Sequence, residues 1–340
     1  MALARGITSV EALLDRLGIT PQPPLPAMAA NFPLRVPHSF VDRMEAGNID
    51  DPLLRQVLPV AAENTRQPGY SRDPLGEQHA MPAPGVLHKY PGRALLTLTG
   101  ACAVHCRYCF RRHFPYSEAN PLGSGRHEAI DYLRSHPDIG ELILSGGDPL
   151  SLPDSRLSGL AEQLAGIPSL HTLRIHTRLP IVLPERVDDL LLDWLSNLPQ
   201  RLVIVLHCNH PNEIDMPVKT AMQSLRQAGA MLLNQSVLLH RINDDADTLV
   251  RLSEALLAAG IMPYYLHQLD RVQGAAHFAV ADTAARALMD AIHSRLPGYL
   301  VPPLVRELPN YPGNFPLWPG PRKSPYCPGT AHAKNSPGQS

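Results

Sequence analysis

Lysine is scarce in this chain. Only Lys89, Lys219, Lys323 and Lys334 occur among 340 residues, so any chemistry that needs a lysine amine has few addresses. Charge of one sign is missing as well: 30 Lys and Arg stand against 31 Asp and Glu, for a formal net charge of −1. With no long basic block, electrostatics favours neither nucleic acid nor an anionic membrane as a partner. No apolar run approaches the ~20 residues that cross a bilayer. Arg5, Glu11 and Asp15 interrupt any signal-peptide core. Cysteine is limited to five residues, and an odd count without a secretory signal argues for a reducing interior and against disulfides. The expectation is a cytoplasmic protein whose 44% hydrophobic content suits a sizeable core.

Proline, by contrast, is abundant, with 36 residues concentrated toward both ends. Residues 1–85 read as a peripheral helical and proline-rich segment. Thr8-Ser9-Val10-Glu11 offers a capping box, Leu13, Leu14 and Leu17 follow at helical spacing, and Gly18 can stop the helix. Pro21–Pro26 is a stiff linker. Short helices are expected near Ser39 and Asp51, before another proline-rich stretch at Pro74–Pro91.

From Ala94 the pattern changes. Apolar strand candidates at 94–99, 141–145, 170–176, 201–207, 231–239 and 261–267 alternate with helical patterns near 126–135, 154–165, 185–197, 216–228, 245–259 and 280–294. Strands alternating with helices of this length indicate βαβ units and a parallel sheet. Six units predict an α/β fold, a partial (β/α)6 barrel over residues 86–300, followed by a C-terminal segment over 301–340. A full eight-stranded barrel and an open doubly wound sheet share the same pattern. In all of these, chemistry gathers at the C-terminal ends of the strands. There stand Cys102 to Cys109, Ser145-Gly146-Gly147-Asp148, His176-Thr177-Arg178, His207, Gln235 and His267 to Asp270.

Cys102, Cys106 and Cys109 form a Cys-x3-Cys-x2-Cys run, with Tyr108 before the last cysteine. Structural zinc closes its tetrahedron with four protein ligands, and a [4Fe–4S] cluster normally takes four cysteines. Three thiolates would leave one iron open to a small molecule. A zinc site would need a fourth ligand from His105, His113 or Cys208, and a non-catalytic zinc-binding module is the reading of a different class. The run resembles the signature of radical S-adenosylmethionine (SAM) enzymes. In those enzymes a Gly-Gly-Asp or Gly-Gly-Glu stretch one βα unit later contacts the SAM amino group, which implies that role for Gly146, Gly147 and Asp148.

The resemblance narrows further along residues 70 to 325. The segments 87–93, 106–114, 207–213, 234–239 and 267–270 are similar to the lysine 2,3-aminomutase family. The overall length looks like that of the bacterial branch that makes β-lysine for modification of elongation factor P. The family's C-terminal zinc-binding cysteines are missing, so quaternary structure does not carry over. The resemblance implies an isomerase that uses a [4Fe–4S] cluster, SAM and pyridoxal 5′-phosphate (PLP). Its reaction moves an amino group between adjacent carbons, taking L-α-lysine to β-lysine. The partners it implies are a low-potential electron donor and a ligase that attaches β-lysine to elongation factor P. Another amino acid, such as glutamate, is the alternative substrate, and a radical SAM enzyme without PLP is the alternative chemistry.

The same resemblance implies roles residue by residue. Lys323, in Gly-Pro-Arg-Lys-Ser-Pro, would carry PLP as a Schiff base. Tyr90 and Arg93 would lie near PLP, with Arg93 on its phosphate. Arg111 would hold the substrate carboxylate, while Asp270 and Glu307 would hold its ε-ammonium. His207 and Gln235 would lie near SAM. Sixteen residues separate Glu307 from Lys323, about twice the family spacing, and the inserted stretch is expected to loop outward.

Overall fold

The chain turns from loosely patterned to strictly alternating at a Pro-Gly turn. Strand β1 (Val86–Tyr90) runs into Pro91 and Gly92, and β2 (Arg93–Thr97) returns antiparallel to it. Proline presets the first turn position, and Gly92 takes a φ of 76°, which other residues adopt at a cost. The stretch read only as proline-rich therefore supplies an edge strand. A computed structural model describes residues 6–20, 32–116, 125–309, 311 and 313–319.

Downstream, the apolar runs become β3 (Glu141–Ser145), β4 (Thr172–Thr177), β5 (Arg201–Leu206), β6 (Met231–Leu238), β7 (Met262–Gln268), β8 (Leu304–Glu307) and β9 (Asn314–Pro316). All strands share one sheet in chain order. From β2 to β8 each neighbouring pair is parallel, and β9 returns antiparallel on β8. Residues on or directly after β1 to β8 line one cavity, so the sheet curls around it. The expected partial barrel is present, with one more parallel strand than the six read from the pattern. The linear strand order excludes the closed eight-stranded barrel for the described residues.

Six helices fall where helical periodicity puts them: α4 (Arg126–Ser135), α5 (Asp154–Ala165), α7 (Asp189–Ser196), α8 (Met216–Gln227), α9 (Ala246–Ala258) and α10 (Asp282–His293), while a short α6 (Leu179–Val182) lies outside the expected patterns. Asp188, Asp215 and Asp245 cap α7, α8 and α9, each accepting the backbone N–H three residues on. Such caps are worth ~1 kcal/mol each.

Numbering these helices from four leaves three before the sheet: α1 (Val10–Leu17), α2 (His38–Val41) and α3 (Pro52–Arg55). Ser9, not Thr8, caps α1, because that register turns Val10, Leu13, Leu14 and Leu17 inward together. Gly18 ends the helix at φ 65°. The segment read as peripheral shares its apolar core with the sheet and its helices: Leu13, Phe40 and Leu54 belong to one cluster with Leu142, Ile175 and Leu191.

Strand β6 shows how the sheet serves two surroundings. Leu232, Asn234, Ser236 and Leu238 are buried toward the helices, while the alternate residues are partly exposed; of these, Gln235 and Val237 face the cavity. The buried polar pair is satisfied. Asn234 accepts from the Cys208 N–H at 2.9 Å and donates to the Cys208 carbonyl at 3.0 Å, and Ser236 donates to the same carbonyl at 2.7 Å. These bonds pin the loop that follows His207. Among the described residues no helix is long and apolar enough to cross a membrane.

The insertion after Glu307 does not loop outward. It doubles back as β9, pairing Glu307 with Asn314 and Val305 with Pro316. Leu317 and Trp318 then join the apolar cluster under α10, and the Trp318 indole N–H donates to Asp290 at 2.8 Å. A hydrophobic pair at the insertion's end outweighs the freedom of an open loop.

Candidate active site

The cavity encloses about 530 Å³, within the usual range for small-molecule sites. Every site residue expected from the sequence and lying among the described residues lines it: Tyr90, Arg93, Cys102, Cys106, Cys109, Arg111, Gly146, Gly147, Asp148, His207, Gln235, Asp270 and Glu307. Lys323 lies outside the described residues. Strand curvature brings together positions as far apart as Lys89 and Glu307, 218 residues from each other and joined by a hydrogen bond at 3.1 Å.

At one end stand the three cysteines, all free thiols. Burial, with mutual repulsion and the nearby Asp148, raises the Cys102 thiol well above its ordinary range, and burial with Cys106 beside it pushes Cys109 up to about 11. A cationic metal centre reverses that preference by favouring thiolates. Among the described residues no three His, Cys, Asp or Glu side chains are gathered into a metal-ligating set. Cys106 is instead held by Arg178, whose Nη1 donates to its sulfur at 2.8 Å. The residues that could complete a zinc tetrahedron are engaged elsewhere. His105 donates to the Pro33 carbonyl, His113 donates to the Gln273 carbonyl, and the buried Cys208 thiol donates to the His210 carbonyl. Three thiols in one loop beside a buried cation supply the donor set that a cluster bound by three cysteines would use.

The Gly-Gly-Asp stretch packs tightly against the chain itself. A Cβ at Gly146 would stand 2.6 Å from the Thr99 carbonyl oxygen, and one at Gly147 would stand 2.5 Å from that of Ala101. The close approach these glycines permit is to the chain's own cysteine loop. Gly147 and Asp148 N–H groups donate to the Thr99 and Ala101 carbonyls. Both Asp148 carboxylate oxygens are consumed too: Leu150 N–H and the Thr177 hydroxyl donate to Oδ1, and the N–H groups of Arg178 and Leu179 to Oδ2. Burial still pushes its carboxyl up to about 6. Asp148 thus works as a strut between the loops after β3 and β4.

His207 stacks on Tyr108 at 5.7 Å and shares a hydrogen bond with its hydroxyl at 3.2 Å. Burial, with Arg178 nearby, holds this imidazole neutral, well below its ordinary pKa. His176 and His267 also line the cavity and are pushed down by burial to about 3 and about 4. The cavity centre therefore carries uncharged imidazoles.

A second group of lining residues is charged. Arg111 donates through Nε and Nη2 to both oxygens of Glu77, at 2.8 and 2.7 Å, and through Nη1 to Ser145 at 2.8 Å. Burial opposes its charge, but Glu77 more than compensates and raises its pKa. Lys89 Nζ donates to Glu307 Oε1 at 3.1 Å. Tyr90 donates to the same oxygen, and its phenol is pushed up to about 12 by burial and by Glu307. Arg93 lies over the Tyr90 ring at 4.7 Å. Asp270 takes no side-chain partner among the described residues, and burial, with Glu307 and Glu77 in view, pushes its carboxyl up to about 8.

Two residues escaped sequence reasoning. Glu77 sits in a proline-rich stretch with no periodicity to mark it. Arg178 stood among the strand-end polar residues but had no assigned role, because its partner is 72 positions away.

No protein-family model matches the chain. Among curated proteins, the L-lysine 2,3-aminomutase of Escherichia coli (strain K12) is 50% identical over 318 residues, 93% of each chain. The Haemophilus influenzae protein of the same name is 46% identical over 91% of this chain and 92% of its own. That of Clostridium subterminale is 34% identical over 82% of this chain and 67% of its own. Among solved structures, a radical SAM methyltransferase from Sphaerobacter thermophilus overlays 65% of this chain and 68% of its own with a TM-score of 0.46 and 13% identity, too distant to bear on the site.

Proposed function

The chain belongs to the L-lysine 2,3-aminomutase family, and on that premise we propose that it isomerises L-α-lysine to β-lysine in the cavity described above. One observation carries the substrate reading: Asp270, a carboxyl without a side-chain partner among the described residues, lines the same cavity as Arg111 and the three cysteines. An ammonium removed from water needs anionic partners, or its burial costs several kcal/mol. Asp270 and Glu307 are suited to the lysine ε-ammonium and unsuited to the second carboxylate of glutamate.

When bound, the [4Fe–4S] cluster, SAM and PLP supply the hydrogen-abstracting radical and the electron sink that moves nitrogen between carbons. The chain's own residues place these groups. Cys102, Cys106 and Cys109 would hold the cluster, a three-thiolate set that would leave SAM a place to bind. Gly146 and Gly147 shape the SAM wall, with Asp148 bracing them from behind, and His207 and Gln235 border it. Arg93 and Tyr90 would receive PLP, and Lys323 would be the lysine that holds it. Arg111 takes the substrate carboxylate, its charge being balanced by Glu77 until substrate arrives. The partly enclosed cavity keeps reactive species from water and fixes one C–H bond against the radical source.

The electron arrives from a low-potential donor, and the product goes to a ligase that attaches it to elongation factor P. Both partners rest on the family resemblance, as does a cytoplasmic setting. The test is an anaerobic assay of reduced, reconstituted protein with lysine, alanine, leucine and glutamate, alongside iron, sulfide and PLP analyses. Conversion of lysine in preference to the others is expected. A preference for glutamate would overturn the substrate reading, and absence of iron would overturn the chemistry.

A further inference from the structure

We propose that Arg178 is a positioning residue for the cluster, holding Cys106 and setting the cluster's reduction potential through its N–H···S bond. The proposal rests on the cluster reading above and adds a residue that reading does not use. The Arg178 guanidinium is held through both terminal nitrogens. Nη1 donates to Cys106 Sγ at 2.8 Å, and Nη2 donates to Gln56 Oε1 at 2.6 Å and Glu213 Oε2 at 3.0 Å. Its charge lies beside the rings of Phe40 and Tyr108, at 5.3 and 5.8 Å. Its side chain is 6% exposed, so neither rotation nor solvent screening relieves the contact.

The backbone of Arg178 is held as firmly as its side chain. Asp148 Oδ2 accepts its N–H at 2.7 Å, and Oδ1 accepts the neighbouring Thr177 hydroxyl at 2.7 Å. The Gly-Gly-Asp stretch is thus wired through Arg178 to one specific cysteine. Glu213, fully buried, accepts Arg178 through Oε2 and spends Oε1 on Gln56 and on the Asn209 and His210 N–H groups. Glu213 therefore offsets the guanidinium only in part, because its own charge is shared among several donors.

A donor on a ligating sulfur withdraws electron density and favours the reduced cluster, so it raises the potential. A buried full charge does so more strongly than a neutral amide. Removing Arg178 should lower the potential while leaving all three thiolates in place.

The experiment is a potentiometric titration, read by electron paramagnetic resonance, of anaerobically reconstituted full-length protein. Parent, R178K, R178Q and E213Q are compared, with iron content measured for each. Iron and a reduced-cluster signal in the parent test the cluster reading separately from the role of Arg178. The expected result is a lower midpoint potential in R178Q, recovered in part in R178K. E213Q, which leaves the guanidinium uncompensated, should shift the midpoint upward. An R178Q cluster at the parent potential overturns the proposal. If R178Q fails to take up iron, E213Q decides: an upward shift supports the role, and an unchanged midpoint overturns it.

Discussion

The two ends of the cavity are prepared in different ways. At the cluster end, Arg178, Tyr108, His207, Asn209 and Asp148 bond to one another or to the backbone before any ligand is present. At the substrate end, opposite charges hold each other in check: Glu77 against Arg111, Lys89 against Glu307, with Asp270 left over. Under the proposed function the first group receives a resident cluster and can be locked, while the second receives a passing substrate and must be balanced in its absence yet available in its presence.

The most damaging way to break this comparison is at the locked end. Replacing Cys106 by Ala should abolish both the cluster and turnover, whereas replacing Cys208, fully buried in the loop after β5, should leave the iron content intact. Four irons per chain in the Cys106→Ala protein would remove the cluster assignment. An equally large effect is expected at the PLP lysine. Borohydride reduction and peptide mapping should place the pyridoxyl label on Lys323. A label on Lys89 would mean that the lysine paired with Glu307 is the Schiff-base residue and that the substrate end has been misread.

At the balanced end, effects should be graded. Asp270→Ala should raise the lysine KM by about 10–100-fold, the worth of one charged hydrogen bond, with cluster and PLP absorbance unchanged. An unchanged lysine KM would exclude Asp270 as the ammonium anchor.

A gentler probe is pH. Because the Asp270 carboxyl is raised to about 8 in the free site, it is protonated below that pH and must lose its proton to receive an ammonium. Lysine affinity should therefore rise with pH toward 8, by at most about tenfold per unit. It should level off above 8 until the ε-ammonium itself deprotonates near ~10.4. A flat profile between pH 6 and 8, measured as binding in the presence of PLP, would contradict this.

The smallest expected effect is at Glu77. Glu77→Gln removes the counter-charge of a buried arginine, which destabilises the free protein. The substrate carboxylate then meets an unopposed guanidinium. The melting temperature should fall without lysine and recover more on adding lysine than in the parent. Equal lysine-induced shifts in the two proteins would show that Glu77 does not balance Arg111 against substrate.

Much of this was legible beforehand. Long periodic segments such as α5, α8 and α9 announce themselves, because a helix repeats its apolar face several times. Strands β1, β8 and β9 do not, being three to five residues long and bordered by prolines. The cysteine run and Gly-Gly-Asp were readable because local spacing carries their chemistry. Asp148 shows where that ends: its position at the cavity follows from the motif, but the direction of its carboxylate does not. Thr177 and the N–H groups of Arg178 and Leu179 claim it, and they lie 29 to 31 residues away.

The amino-acid sequence by itself determined the strand–helix alternation, the family and the set of reactive residues, since each is encoded in short-range spacing or in residue type. Only the tertiary structure decided who pairs with whom: Arg178 with Cys106, Glu77 with Arg111, Lys89 with Glu307 across 218 positions. Such pairs form because burial leaves each charge one affordable partner within reach, and reach is set by how the sheet curls rather than by distance along the chain.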